Sequence, residues 1–179
     1  MNPPSTGPVR PAGVETGDAS GRAGHPAQSK TGMPPGRGAR TFETLPASSM
    51  GREHGHSRCL LCGEANPWSL RLRFEPDGQG GVTALFKSHP GLQGYRGILH
   101  GGVSASLLDA AMTHCLFHHG IEALTADLHV RYAHAIPCDA VVELKARLVS
   151  SRNPLHVLRA EISLDGRLMA WGEAKFLNR

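Results

Sequence analysis

The spacing of apolar residues changes twice along this chain, and that change constrains its fold more than any other feature. Apolar and polar residues alternate in two stretches before residue 88 and in four stretches after residue 123, which is typical of half-buried β-strands. Between them, the apolar residues of VSASLLDAAMTHCLFHH have helical spacing, and Gly120 follows as a helix end. The sequence predicts one long helix whose apolar stripe must be buried against a sheet.

We therefore predict an α+β fold of order β-β-α-β-β-β-β, with one long central helix wrapped by a curved, mostly antiparallel sheet. Pro76-Asp77-Gly78 and Asp165-Gly166 are typical hairpin turns. In the strand after the helix, alternation places Leu124 and Leu128 on the apolar face and Thr125 on the polar one. The predicted strands span Trp68–Phe74, Val82–Lys87, Leu124–Tyr132, Val142–Leu148, Leu158–Leu164 and Leu168–Phe176.

Residues 1–58 have a different composition from the rest. Stretches such as MNPPSTGPVRPAG and TGMPPGRGAR contain almost no large apolar residue, so burial cannot offset the entropy of ordering the backbone. We predict a disordered tail over residues 1–58 and one folded domain over residues 59–179. An open alternative is that translation begins at Met33 or Met50.

Charge and cysteine content exclude several classes of protein. The formal charge of +4 is spread along the chain without a Lys/Arg block, which argues against a nucleic-acid partner. Four cysteines, of which only Cys59 and Cys62 are closely spaced, do not resemble a secreted disulfide framework. Neither a signal peptide nor a run of eighteen apolar residues is apparent, so we expect a cytoplasmic protein with no membrane partner.

His100-Gly101-Gly102 lies where a loop enters the predicted helix. The first N–H groups of a helix have no intrahelical acceptor, and glycine lets a carbonyl oxygen approach them closely. The helix dipole adds partial positive charge there, so the pattern is typical of an oxyanion hole. The alternative reading is that the glycine pair only permits a tight junction.

Asp109 lies further along the same helix, between Leu107, Leu108, Ala110 and Ala111. A carboxylate in apolar surroundings needs a reason to be there, and helical spacing places it on one face with Gly102 and Ser106. The functional interpretation is a substrate groove along that face. The alternative is an ordinary aspartate on the polar side of an amphipathic helix.

These residues resemble a known family. GYRGILHGGVSASLLDAAM is similar to the signature of hot-dog-fold acyl-CoA thioesterases of the phenylacetate-pathway and 4-hydroxybenzoyl-CoA type, in which HGG is followed by an acid on the central helix. The segments CLLCGEANPWSLRLRF, TADLHVRY and AWGEAKF also resemble that family, so the likeness spans Cys59 to Phe176. It implies hydrolysis of an acyl-CoA thioester without a cofactor.

The resemblance also implies an assembly and a set of roles. Such domains form dimers and often tetramers, with the active site between subunits. The amide at Gly101 would polarise the thioester carbonyl, and Asp109 of the partner subunit would act as general base or nucleophile. Thr125 matches a hydroxyl residue that orients water or the acid in relatives, and Gln93 matches an upstream amide residue only loosely.

The remaining candidates are more general. His100 is either a donor to the substrate carbonyl or a cap of the helix. Three cations are candidates for the phosphates of coenzyme A: Arg131, Arg152 and Lys175.

One further cluster precedes the first strand. Cys59 and Cys62 have zinc-knuckle spacing, with His54 and His56 just upstream, but no second Cys-x-x-Cys follows. The favoured interpretation is two reduced cysteines in a turn, and no metal site is predicted.

Two other functions stay open on the same scaffold. One is a hydratase or dehydratase, which would use a different pairing of histidine and acid. The other is a non-catalytic acyl-CoA-binding protein.

Overall fold

The structure is a computed structural model that describes residues 55–179. The predicted disordered tail, residues 1–58, therefore lies outside the described residues except for its last four. These form the first turn, in which the Cys59 N–H donates to the His56 carbonyl oxygen at 2.9 Å.

In the described part of the chain, six strands form one antiparallel sheet in the order β1-β2-β4-β5-β6-β3. The strands are β1 (Glu75–Pro76), β2 (Val82–Lys87), β3 (Ala123–Tyr132), β4 (Val141–Arg152), β5 (Leu155–Leu164) and β6 (Arg167–Asn178). The β5–β6 hairpin turns at Asp165 and Gly166, which both have positive φ (51° and 80°), as the sequence Asp-Gly predicts. Within the described residues, β3 pairs only with β6, so it forms one edge of the sheet.

The long helix of residues 55–179, α1 (Gly101–His118), packs against strands β2 to β6. Its buried stripe includes Leu107, Leu108, Met112 and Leu116, each with no solvent exposure. Burying one such side chain contributes about 1.5–3 kcal/mol, so this stripe anchors the helix to the sheet. The predicted element order and the predicted packing of one long helix against an antiparallel sheet are confirmed within the described residues. Neither α1 nor another helix within residues 55–179 combines the length and apolarity needed to cross a bilayer.

The predicted first strand differs from the structure. Residues 68–74 are not a strand of the sheet, and β1 is limited to two residues that follow them. Arg71 has a φ of 57°, which a regular strand does not permit, and Trp68 is 81% exposed. The segment is held instead by backbone hydrogen bonds to Leu60 and Leu61, with Leu72 buried in the core.

The predicted faces of β3 are reversed in its first half by a β-bulge. Thr125 and Asp127 pair with two consecutive residues of β6, so Ala126 lies between them as an extra residue with no partner in the pairing. Beyond the bulge Leu128 packs on the core as predicted, whereas before it Leu124 is 63% exposed. The bulge therefore turns Thr125, which alternation placed on the polar face, toward the helix.

Candidate active site

The start of α1 is organised by His100. This residue is the N-cap, and its Nδ1 accepts a hydrogen bond from the Gly102 N–H at 2.9 Å. The Gly102 amide is thereby engaged. Within residues 55–179, the Gly101 N–H makes no hydrogen bond, and Gly101 itself is exposed. One amide with partial positive charge from the helix dipole is thus presented to the outside.

A side chain would meet different surroundings at the two glycines. A Cβ on Gly102 would lie 3.0 Å from His100 Nδ1, a tight contact that the capping ring would have to relieve by shifting. A Cβ on Gly101 would meet the Tyr132 ring at 3.6 Å, which is ordinary van der Waals contact. The cap therefore favours glycine at 102, whereas neither packing nor a positive φ requires it at 101.

Asp109 is half-buried on the side of α1 that faces β3. The Thr125 hydroxyl donates to Asp109 Oδ1 at 2.7 Å, which fixes the orientation of the carboxylate. This contact exists because the bulge at Ala126 turns Thr125 toward the helix. Ser106, on the same face, donates its hydroxyl to the Gly102 carbonyl oxygen at 2.9 Å and does not reach the carboxylate.

A cavity of about 290 Å³ opens beside Gly101. The Tyr132 hydroxyl donates to the Gly101 carbonyl oxygen at 3.0 Å and ties the end of β3 to the start of the helix. At the rim, the Arg167 guanidinium lies 3.0 Å from the His134 ring. The main lining side chains are Tyr95, Ile98, Leu99, Tyr132, His134 and Ile136. Sequence reasoning missed Tyr132 as a site residue because its position at the apolar end of a strand indicated core packing.

Gln93 lies in the loop before α1 and serves that loop. Its Oε1 accepts from the Gly97 N–H at 3.2 Å, and its backbone bridges to Leu99. This arrangement shapes the segment that leads to His100.

The three candidate cations do not converge on Gly101 or Asp109. Arg131 and Lys175 alternate with inward-facing residues of β3 and β6, so they lie on the sheet face opposite the helix. Lys175 Nζ is 3.6 Å from Asp127 Oδ2. Arg152 is exposed at the β4–β5 turn.

Two cysteines are unsuited to act as nucleophiles. Burial is the largest of the causes that raise the pKa of the Cys62 thiol to about 12, and the neighbouring Cys59 side chain is the next largest. Burial likewise raises the pKa of the Cys115 thiol to about 11. Without a bound cation, both thiols stay protonated at neutral pH, whereas the thiolate is the nucleophilic form.

Gly101 and Asp109 are too far apart to serve one carbonyl group within a single chain. Eight residues separate them on α1, which corresponds to about 12 Å along the helix axis at 1.5 Å per residue. An oxyanion donor and an attacking group must each lie about 3 Å from the same reacting carbonyl. Within the described chain, Gly101 and Asp109 therefore cannot act together on one carbonyl group.

Comparison with known proteins confirms the resemblance noted in the sequence. The sequence model of the thioesterase superfamily matches residues 96–170. Acyl-coenzyme A thioesterase THEM4 from Bos taurus is 32% identical over 75 residues, which is 42% of this chain and 30% of that protein. The chain thus matches less than a third of the length of this relative.

Solved structures agree on the fold. A crystal structure of a thioesterase superfamily protein matches with a TM-score of 0.65 and 26% identity, covering 68% of this chain and 61% of that one. A hypothetical thioesterase from Streptococcus pneumoniae, solved with coenzyme A, matches with a TM-score of 0.57 and 21% identity, covering 60% and 87%. Variants of the Streptococcus protein replace a threonine and an aspartate that are sixteen positions apart, each by alanine. The described part of the chain therefore has the hot-dog fold, and its residues 96–170 are similar in sequence to the thioesterase superfamily.

Proposed function

We propose that this protein hydrolyses acyl-coenzyme A thioesters in a site formed by two copies of the chain. In each site, the Gly101 amide of one subunit polarises the thioester carbonyl, and Asp109 of the partner subunit supplies the catalytic carboxylate. The observation that carries the proposal is the Thr125–Asp109 hydrogen bond of 2.7 Å at an edge strand whose other end contacts Gly101.

Strand β3 supplies the geometric argument for two chains. Its first half contacts Asp109 through Thr125, and its last residue, Tyr132, contacts Gly101. Antiparallel pairing of β3 with its two-fold copy places the beginning of one strand beside the end of the other. The pairing therefore brings Asp109 of one subunit toward Gly101 of the next.

The free edge of β3 also favours such pairing. Within the described residues the strand is ten residues long, pairs only with β6, and exposes Leu124 and Tyr132 by 63% and 56%. A long, partly apolar edge is a ready template for another strand. A dimer is the smallest assembly that completes the proposed site.

The chemistry follows from the two halves. As water or the carboxylate attacks the thioester carbon, negative charge develops on the carbonyl oxygen, and the Gly101 N–H with the helix dipole stabilises it. Asp109 either removes a proton from the attacking water or attacks the carbon itself, and both routes use its ionised form. On the first route, the C–S bond breaks, coenzyme A leaves as the thiol with the proton that Asp109 took from water, and the acyl group is released as the free acid. On the second route, the acyl group stays on Asp109 as an anhydride, coenzyme A takes its proton from solvent, and water then hydrolyses the anhydride to the free acid and restores the carboxylate. Thr125 holds the carboxylate in one orientation, and His100 caps the start of the helix.

The comparisons support these assignments. THEM4 is named an acyl-coenzyme A thioesterase, and the Streptococcus thioesterase was solved with coenzyme A. The aspartate and threonine replaced in that protein have the same separation as Asp109 and Thr125. We infer an acyl-CoA substrate and a cytosolic location, where reduced cysteines and coenzyme A coexist.

The three cations lie away from Asp109 of their own chain. Arg152 pairs with Leu155, and this row continues through Leu177 to the exposed Leu124, on the sheet face opposite the helix. Arg131 and Lys175 lie on the same face, so we expect any contact of these cations with coenzyme A to involve another subunit.

The proposal is tested by thiol release from short, medium, long and aromatic acyl-CoAs. Asp109→Asn keeps the size of the side chain and an oxygen acceptor for Thr125, so the fold and assembly should persist. We expect turnover to fall by at least about 100-fold, the scale for loss of a general base. A variant that hydrolyses near the wild-type rate, or a wild-type protein that only binds acyl-CoA, would contradict the proposal.

A further inference from the structure

The second cluster of interest lies outside the proposed catalytic site. His56, Cys59 and Cys62 each offer one ligand atom, and these three atoms lie within 4.8 Å of one another. His56 Nδ1 and Cys62 Sγ are 3.8 Å apart. The His56 ring packs edge-on against Phe117, with ring centroids 4.7 Å apart. Phe117 is sixteen residues beyond Gly101, about 24 Å along the helix axis.

We propose that His56, Cys59 and Cys62 bind a zinc ion that fastens the segment before β1 to the far end of α1. Two thiolates and one imidazole are the donors that zinc prefers in proteins. Ligands of a tetrahedral zinc ion with Zn–S near 2.3 Å and Zn–N near 2.0 Å lie about 3.5–3.8 Å apart. The His56–Cys62 pair already has this spacing, and the whole cluster needs to contract by only about 1 Å.

The backbone around Cys59 is shaped to surround its sulfur. The Leu61 N–H points at Cys59 Sγ, with 3.4 Å between nitrogen and sulfur, and the Gly63 N–H donates to the Cys59 carbonyl oxygen at 2.9 Å. An amide that donates to sulfur favours the charged thiolate. Gly63 has to be glycine, since a Cβ there would lie 2.6 Å from the Cys59 carbonyl oxygen. The turn thus holds both sulfurs on one side with His56.

Charge balance also suits this ion. A divalent cation with two thiolates and a neutral imidazole has no net charge, so the half-buried site avoids the cost of an uncompensated ion. These ligands fill three tetrahedral positions, and the fourth is open to water or to another side chain of the chain.

The location indicates a structural role. Residues 55–74 join the sheet only through the two-residue β1 that follows them, and they are otherwise held by turns and side-chain packing. Zinc would connect both cysteines of this segment to His56, which packs on α1. The ion would hold this segment in place, as the longer strand predicted from the alternating residues 68–74 would have done.

The test uses the full-length chain, purified without an affinity tag and in a reducing buffer. We expect one zinc ion per chain by mass spectrometry of the metal, and a melting temperature that falls by about 5 °C or more when a chelator removes it. Cobalt in place of zinc should give sulfur-to-metal charge-transfer absorption in the near ultraviolet, which only thiolate ligation produces.

Variants assign the ligands. Cys59→Ser and Cys62→Ser should each lower the charge-transfer intensity and the affinity for cobalt. His56→Gln should keep the sulfur band and weaken cobalt binding at least about tenfold. A tenfold loss is the lower end of the effect of removing a group that hydrogen-bonds to a metal ligand, and removing a ligand itself should cost at least as much. Cys138→Ser, which removes a half-buried cysteine elsewhere, is the matched control and should bind like the wild type.

The proposal is overturned if the reduced chain binds less than stoichiometric metal or shows no charge-transfer band. It is also overturned if both cysteine variants match the Cys138→Ser control, or if His56→Gln binds as tightly as the wild type. Isolation of Cys59 and Cys62 as a disulfide that reduction does not convert to a zinc-binding form would replace the metal site with a redox pair. None of these readouts depends on thioester hydrolysis.

Discussion

Replacing Thr125 by valine removes one hydroxyl group and almost no volume, so it isolates the hydrogen bond to Asp109. A hydrogen bond to a charged group contributes about 1.5–3 kcal/mol. Because Asp109 is half-buried and Thr125 is exposed, the lower end of that range applies. At about 1.4 kcal/mol per factor of ten, we expect kcat to fall by about tenfold as the carboxylate loses its fixed orientation.

The assay is steady-state thiol release with the best acyl-CoA found for the wild type. Thr125→Ser retains the hydroxyl and should recover most of the rate. Thr83→Val is the matched control, since the Thr83 hydroxyl donates at 3.1 Å to the Leu144 carbonyl oxygen, away from the site. That variant should lose stability without losing kcat.

A double variant checks that Thr125 acts through Asp109. Once Asp109→Asn has removed the carboxylate, Thr125→Val should change the residual rate by less than about twofold, because residues that act through one contact are not additive. The reasoning is refuted if Thr125→Val alone changes kcat by less than twofold, or if Thr125→Ser is as slow as Thr125→Val.

Two further predictions concern stability. Gly102→Ala should destabilise the protein by about 1 kcal/mol through loss of the His100 cap, whereas Gly101→Ala should be neutral or stabilising. Urea unfolding measures both free energies of unfolding, and equal effects of the two substitutions would contradict the capping geometry. Hydrogen bonds from the Gln79 and Gly81 amides hold the pKa of Asp77 below the usual range of an aspartate, so its stabilising effect is present above that range and is lost as pH falls through the folded-state pKa. Asp77→Asn should therefore weaken the dependence of unfolding free energy on acid pH, and an unchanged dependence would count against this assignment.

The sequence predicted the helix and the later strands because these elements are set by local patterns. Helical spacing ended at Gly120, which has a φ of 70°, and Asp165-Gly166 formed the expected hairpin. The second strand was predicted with its observed bounds, Val82–Lys87. These patterns depend on side-chain type and turn chemistry, which a single sequence displays directly.

The sequence could not predict features that depend on one backbone irregularity. The bulge at Ala126 has no glycine or proline to mark it, yet it reverses the faces of Leu124 and Thr125. The positive φ of Arg71 likewise breaks a segment whose alternation is otherwise regular. In both places pairing and packing with distant residues determine the backbone, and these are not encoded in local spacing.

The candidate site shows the same division. Asp109 and the glycine pair were candidates from the sequence, and a helix cap was one of the two roles that the sequence left open for His100, whereas the contact of Tyr132 with Gly101 emerged only in three dimensions. Neither the reach of the His100 ring nor the position of Tyr132 beside the helix start follows from residue spacing.

Mixing two inactive variants tests whether the site is shared between chains. Gly101→Pro removes the donor N–H at the first helical position, where proline is favoured. His100 already has φ −63° and ψ 133°, the region that a residue before proline adopts, so the fold should persist. Gly101→Pro and Asp109→Asn should each be nearly inactive as homodimers.

In a mixed dimer, one site combines the intact Gly101 of the Asp109→Asn chain with the intact Asp109 of the Gly101→Pro chain. Random co-assembly of the two variants should restore about a quarter of wild-type turnover, since half of the dimers are mixed and one of their two sites is whole. If co-refolded mixtures with verified subunit exchange stay as inactive as the separate variants, Gly101 and Asp109 do not act across the interface, and the proposed mechanism is wrong.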